Sequence, residues 1–213
     1  MSTSYPLRQE LANTVTHGVG AVLSVAGLVG LVVTSARFGD VWQVVSTAIF
    51  GTTMVLMYSA STLYHALKDE RTKARLQKFD HAAIFLLIAG SYTPFVLVTL
   101  RGPWGWSLFG VVWGLALIGV VLKFWYAGRF EVVSTLIYLG MGWLVLVAIK
   151  PLWVALPTGG MVWLVVGGAC YSVGCIFYLW KKLPYQHAIW HGWVLAGSAC
   201  HWIAVYGYVI DRA

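Results

Sequence analysis

Two histidines near one end of the chain, His187 and His191, have a spacing that could serve metal chemistry. Residues four apart on an α-helix lie about one turn from each other, so both imidazoles can bind one ion. A third imidazole from His65 would complete a three-nitrogen Zn²⁺ site, with the fourth position left for water. Asp80 could orient that water or a histidine, and could serve as general base. The pattern therefore indicates a candidate zinc site.

These histidines also have a simpler interpretation. A single histidine in a membrane helix is more often an interhelical hydrogen-bonding group than a ligand, and helix ends at the membrane interface attract histidine. What favours a metal is the meeting of several such groups in one layer. Ser61 adds to this pattern, since it lies four residues before His65 on the same predicted helix face and suits a hydrogen-bond donor to the site.

The elements that must position these residues follow from the composition. Of the 213 residues, 60% are apolar and only 10% are charged. Ordinary soluble chains are about 45–50% apolar and about 25% charged. So few charges cannot cover a soluble surface, which excludes a soluble enzyme, a nucleic-acid-binding module, a disordered tail and a disulfide-rich secreted domain.

The charged residues are clustered and leave seven long apolar stretches between them. A helix needs about 20 apolar residues to cross the hydrocarbon core of a bilayer. We therefore predict an all-α fold, a single seven-transmembrane-helix bundle over residues 1–213. The predicted spans are roughly 17–36, 42–66, 81–100, 104–123, 131–150, 160–180 and 187–210.

Lys and Arg in the connections predict the orientation. With the N-terminus in the cytoplasm and the C-terminus outside, ten of them lie on the cytoplasmic side, and the other four are Arg37, Arg101, Lys150 and Arg212. This basic face suits anionic lipid head groups, and no nucleic-acid partner is expected. The same orientation brings the ends of three spans, with the histidines and Asp80, into one cytoplasmic layer.

Three further histidines have different expected places. His17 opens the first span and could belong to the same layer. His201 lies ten residues beyond His191, roughly 15 Å deeper, so we expect it to pack against other helices or to line a cavity. His81 follows Asp80 directly and points about 100° away from it on a helix, so it is not expected to be a ligand.

Several motifs also carry a family resemblance. Ser61-x3-His65 in SASTLYH, Asp80 in KFDHAAIFLLIAGSYTPF, and the two histidines of HAIWHG resemble the signature of the hemolysin III family. That family is the bacterial branch of the progestin and adipoQ receptors, which include the adiponectin receptors. Glu10-x2-Asn13-x3-His17 is similar to its opening motif, and the resemblance covers about residues 10–210.

The resemblance implies a zinc ion near the cytoplasmic face of a bacterial inner-membrane protein. Its ligands would be His65, His187 and His191, Asp80 would hold the water, and Ser61 matches the serine before the first ligand. The wider superfamily includes ceramidase-like membrane hydrolases. By analogy, this implies hydrolysis of a lipid amide or ester, with membrane lipids as the partners.

Three functions remain open on the sequence alone. The leading hypothesis is a zinc-binding membrane protein that acts on or responds to membrane lipids, as a hydrolase. The alternative is a regulator of membrane fluidity or energetics with a structural zinc and no turnover. A channel or hemolysin is weaker, because the membrane midplane offers mainly His201 and small residues where a pore would need charges.

Overall fold

A computed structural model of the chain describes residues 5–210, and the only regular secondary structure over that range is helical. A π-helical turn over Phe95–Thr99 follows the third helix, and a 3₁₀ segment over Trp143–Ala148 separates the fifth from the sixth. The α-helices are α1 (Leu7–Phe38), α2 (Val41–Ala66), α3 (Glu70–Pro94), α4 (Pro103–Tyr126), α5 (Glu131–Gly142), α6 (Ile149–Ala155), α7 (Thr158–Leu179) and α8 (Gln186–Tyr208).

Local sequence signals explain where several helices begin. Asp40 and Gln43 form a reciprocal capping box at the start of α2, each side chain bonding the backbone N–H of the other. The Asp69 carboxylate accepts from the backbone N–H of Thr72 and caps α3. Pro103 occupies the first turn of α4, where its missing N–H leaves no bond unmade.

Six of the described helical segments are long and apolar enough to cross a membrane. Among them α5, the 3₁₀ segment and α6 act together as one span, Glu131–Ala155. The last helix, α8, is 23 residues long but is not among the six, because its histidines lower its hydropathy. The protein is thus a polytopic helical membrane protein, whereas the seventh span and the orientation stay predictions. Arg212, used in the orientation count, lies outside the described residues.

The helix α3 lies at the centre of the bundle. In its most apolar 18-residue window, 72% is buried inside the bundle. The corresponding share is 50% for α2 and 11–28% for the other spans. The peripheral helices expose large apolar side chains such as Val22, Leu136 and Val154. Such a surface suits contact with lipid chains and would be a liability in water. The central position of α3 matters for function, because this helix carries Asp80.

Tyr92 on α3 joins the central helix to the irregular fifth span. Its hydroxyl bonds the carbonyls of Met141 and Gly142, at 2.9 and 2.7 Å, and accepts from the N–H of Val145 at 2.9 Å. These backbone groups lie where α5 changes into the 3₁₀ segment. An irregular helix inside a membrane is tolerated only where a neighbour supplies the missing hydrogen bonds. Tyr92 is that neighbour.

We expect Tyr92→Phe to lower the free energy of unfolding by about 1–3 kcal/mol, because it leaves buried backbone groups without a partner. Unfolding in mixed micelles, followed by circular dichroism, measures the change. Tyr126→Phe is the matched control, since the Tyr126 side chain is exposed. Equal stability of the two variants would show that the irregular span does not depend on the Tyr92 hydroxyl.

Candidate metal centre

Three histidines meet at one end of the bundle. His65 comes from the last turn of α2, and His187 and His191 come from the first two turns of α8. All three are buried, and one potential ligand nitrogen from each lies within 4.8 Å of the other two. The ring centroids are 4.6–5.3 Å apart. This cluster is therefore compact enough to bind a single metal ion.

Each of these rings has its Nδ1 atom engaged by the N-terminal segment of the chain. The partner groups are a carboxylate, a phenol and an aliphatic hydroxyl. The pairs are His65 Nδ1 with Glu10 Oε2 at 2.6 Å, His187 Nδ1 with Tyr5 Oη at 3.3 Å, and His191 Nδ1 with Thr16 Oγ1 at 3.0 Å. Residues 5–16 thus orient all three imidazoles.

The partners also determine which ring nitrogen carries the proton. The ionised Glu10 carboxylate can only accept, so the His65 Nδ1 donates to it. The Thr16 hydroxyl already donates its hydrogen to the carbonyls of Ala12 and Asn13, so it accepts from His191 Nδ1. In both rings the Nε2 atom then bears the lone pair. That is the tautomer that a metal ligand needs.

Tyr5 lies just before α1, and its hydroxyl also accepts from the side-chain amide of Gln186. Burial raises the pKa of Tyr5 to about 12. Its phenol therefore stays neutral at physiological pH and keeps both its donor and its acceptor function beside His187.

The Nε2 atoms, on the other side of each ring from Nδ1, show whether a cation fits the cluster. The Nε2 atoms of His65, His187 and His191 are buried and have no hydrogen-bond partner within residues 5–210. A buried polar atom without a partner costs roughly 1–3 kcal/mol. A cation bound between the rings would give all three atoms a partner at once. Three neutral imidazoles are a donor set that suits Zn²⁺, Cu²⁺, Fe²⁺ or Ni²⁺.

The carboxylate of Glu10 is shared between two helices. It bonds the His65 ring through Oε2 and the Lys73 ammonium of α3 through Oε1, at 2.5 Å. All three side chains are buried. Because Lys73 balances the charge of Glu10, the carboxylate can stay ionised in an apolar setting. The pair therefore fixes the His65 ring and links α1, α2 and α3.

Asp80 and Ser61 lie beside the histidines, both buried. The Ser61 hydroxyl neighbours the Asp80 carboxylate, although it has no partner that satisfies hydrogen-bond geometry. Asp80 lines a small polar pocket together with His187. The nearest ring nitrogen of His81 is 4.0 Å from Asp80, and His81 is not part of the three-histidine cluster. The catalytic role of Asp80 stays a prediction.

The two remaining histidines occupy different places. The His17 ring stacks on the His191 ring, with centroids 3.4 Å apart and planes 13° apart, so it belongs to the same layer without joining the cluster of possible ligands. His201 lies deeper. Its Nε2 is 3.3 Å from the carbonyl of Leu164, and its ring lines a large apolar cavity.

Two cavities lie next to Trp190 on α8, and the smaller of them reaches His187 of the cluster. The larger one, about 150 Å³, is almost wholly apolar and lies between α3, α5, α7 and α8. One water-sized group needs about 10–15 Å³ of such volume, so the larger cavity has room for roughly ten water-sized groups. The smaller one, about 30 Å³, is polar and contains Asp80. The two cavities share Ile84, Tyr138, Cys175 and Trp190 as lining residues.

The sequence interpretation did not anticipate the residues that orient the histidines. The i, i+3, i+7 spacing of Glu10, Asn13 and His17 places three polar side chains on one helix face. This pattern could have indicated that α1 contributes to the site. Asn13 lies 3.5 Å from His65 Nδ1. Nothing in the local pattern distinguishes Lys73 from the other basic residues of its loop, or predicts that Tyr5 would reach His187.

Most of the chain matches a known protein family. Residues 5–202 match the family described as Haemolysin-III related. The chain is 47% identical over 206 residues to the Hemolysin-3 homolog of Bacillus subtilis (strain 168), covering 97% of each. It is 46% identical over 207 residues to Hemolysin-3 of Bacillus cereus, covering 97% of this chain and 94% of that protein.

A more distant human protein shares the same extent of chain. The identity with the Monocyte to macrophage differentiation factor of Homo sapiens is 28% over 210 residues, 94% of this chain and 84% of that protein. No solved structure matches the chain. The match over residues 5–202 and the bacterial relatives together show that this chain belongs to the hemolysin III family, within the progestin and adipoQ receptor group.

Proposed function

We propose that this protein binds Zn²⁺ at the cytoplasmic face of the bacterial inner membrane and hydrolyses an amide or ester bond of a membrane lipid. The observation that carries the proposal is the cluster of three buried histidines whose Nε2 atoms have no partner and whose Nδ1 atoms are held. Such an arrangement is expensive for an apo protein and suits a bound cation.

The membrane arrangement belongs to the same proposal. We propose one domain with seven spans, the N-terminus in the cytoplasm and the C-terminus outside. Support comes from the excess of Lys and Arg on one side and from α8, whose 23 residues are long enough to cross the hydrocarbon core. The histidine cluster would then lie at the cytoplasmic ends of α2 and α8.

The ligands we propose are His65, His187 and His191, each through Nε2. Zn²⁺ in such a site lowers the pKa of a water in its open position and polarises a carbonyl group. Glu10, Tyr5 and Thr16 hold the imidazoles in place through their Nδ1 atoms. His17 covers one face of His191 and keeps bulk water from it.

Asp80 is the general base in this proposal. Its carboxylate takes a proton from the attacking water while the water oxygen adds to the carbonyl carbon. When the carbon–nitrogen or carbon–oxygen bond breaks, Asp80 returns the proton to the departing amine or alkoxide. Ser61, which neighbours Asp80 and has no other hydrogen-bond partner among the described residues, would keep the carboxylate in position.

The cavities support a lipid as the substrate. The apolar cavity would receive an acyl chain, and the polar pocket with Asp80 and His187 would receive the bond to be cleaved. Trp190 lies between His187 and His191 on α8 and lines both cavities. A small soluble ester would leave the apolar cavity unfilled and lose that part of the binding energy.

A second function is favoured by a specific feature of the same site. The ligands lie on α2 and α8, and their Nδ1 partners lie on and before α1, so a cation would clamp these helices together. A zinc that serves only this purpose would make the protein a regulator of membrane fluidity or energetics. Turnover and metal-dependent stability distinguish the two functions.

We expect Asp80→Asn to keep zinc but to lower lipid turnover about 10²–10⁴-fold, because the amide cannot accept the proton. His191→Ala should lose both zinc and turnover. Metal analysis and mass spectrometry of a lipid panel incubated with the purified protein measure these effects. Glu70→Gln, at an exposed carboxylate at the start of α3, is the matched control.

The lipid-panel assay can also reject the hydrolase function. If no lipid in the panel gives a zinc-dependent product, the enzymatic function is wrong. If chelation then lowers the unfolding temperature, the structural role of zinc is retained.

We expect Glu10→Gln to weaken zinc binding about 10–100-fold, because the neutral amide no longer polarises His65 and no longer balances Lys73. Competition with a chelator of known affinity measures the change, again with Glu70→Gln as the control. Unchanged affinity would show that Glu10 only joins helices and does not support the metal site.

A further inference from the structure

Lys123 is a buried lysine whose position is not explained by the chemistry above. It lies near the end of α4, and only 6% of its surface is exposed. Its Nζ donates to the Ser134 hydroxyl of α5 at 2.5 Å and lies 5.8 Å from the centre of the Tyr138 ring. A lysine ammonium has three donors, so one hydroxyl and one aromatic face leave it incompletely satisfied.

The ammonium also lacks an anion. Among residues 5–210 no carboxylate oxygen lies within 4.0 Å of Lys123 Nζ, whereas the other buried lysine, Lys73, has Glu10 at 2.5 Å. Glu131 lines the same pocket but is paired with Lys181 at 2.9 Å. Buried charges in proteins are normally paired, so the absence of an anion beside Lys123 indicates a binding function.

The polar pocket connects this charge with the metal centre. Lys123 and Ser134 line the same pocket of about 30 Å³ as Asp80 and His187. That volume holds two or three water-sized groups, which matches the oxygens of a carboxylate or phosphate. Arg129 adds a second cation at the pocket. With Glu131 paired, the pocket has two cations against the single carboxylate of Asp80, before any metal is bound.

We propose that this pocket binds the anionic group of the lipid substrate, with Lys123 as the residue that selects for it. This inference rests on the proposed function and narrows its substrate class to amphiphiles that carry a carboxylate or phosphate close to the amide or ester bond. The anion would lie against Lys123 and Ser134, the scissile bond beside Asp80 and His187, and the acyl chain in the apolar cavity.

The test uses ligands without a bond to cleave, so that binding is measured apart from turnover. Dodecanoate, dodecyl phosphate and dodecanol share one chain length and differ in charge. We expect the wild-type protein in nanodiscs of zwitterionic lipid to bind at least one of the two anions about 10-fold or more tightly than dodecanol. The tighter of the two identifies carboxylate or phosphate as the preferred group.

Four variants distinguish recognition of the anion by Lys123 from a purely structural role of this residue. Lys123→Met should remove the preference for the anion, and Lys123→Arg should keep part of it. Ser134→Ala should keep only part of the preference, because the cation remains but the hydroxyl that also contacts the anion is lost. Lys150→Met, at an exposed lysine, should leave it unchanged.

Two results would overturn the inference. One is equal affinity of the wild-type protein for anionic and neutral ligands, which decides the matter even if Lys123→Met does not fold. The other is a folded Lys123→Met that keeps the full preference. A preserved anion preference without lipid turnover would reject hydrolysis and retain the anion site, so the two failures are distinguishable.

Discussion

The carboxylate of Glu10 bonds the His65 imidazole with one oxygen and the Lys73 ammonium with the other, and the candidate site depends on this arrangement. It joins α1, α2 and α3 at one end of the bundle. A buried carboxylate needs a counter-charge, and a buried ammonium needs the same. Each group is therefore tolerable only because the other two are present. The bond occupies His65 Nδ1 and leaves Nε2 as the nitrogen without a partner, in a ring that is clustered with the two histidines of α8.

Many buried polar groups elsewhere in the described bundle have hydrogen-bond partners. The hydroxyls of Tyr58 and Tyr171 both bond the Ser198 hydroxyl, and Tyr92 completes the irregular fifth span. The atoms without a partner are concentrated at the histidine end, where the Nε2 atoms of His65, His187 and His191 and the Ser61 hydroxyl lie, although His201 Nδ1 is a further one deeper in the bundle. The incompletely bonded Lys123 lines the polar pocket that also contains His187. Such a concentration of unpartnered buried groups indicates that external ligands complete this end of the bundle.

The sequence predicted the membrane fold and the meeting of the histidines because both depend on simple regularities. Scarce charges mark apolar helices, and the four-residue spacing of His187 and His191 defines one helix face. The link from His65 to α8 required only that both lie at the same membrane face. The pairing of Glu10 with Lys73 and His65 depends on how three helices rotate about their axes. No local pattern encodes that rotation, so Lys73 looked like one of several loop lysines.

The polarity of the interior changes along the bundle, and this gradient constrains any substrate. At one end are Asp80, Lys123 and the histidine cluster; beyond the shared wall of Trp190 and Tyr138 the space is apolar as far as His201. A soluble metabolite would fill only the polar end, and a hydrocarbon only the other. An amphiphile with a charged head and one acyl chain satisfies both. Since α8 bears His191 and His201 about 15 Å apart, this one helix borders the whole length that such a molecule would occupy.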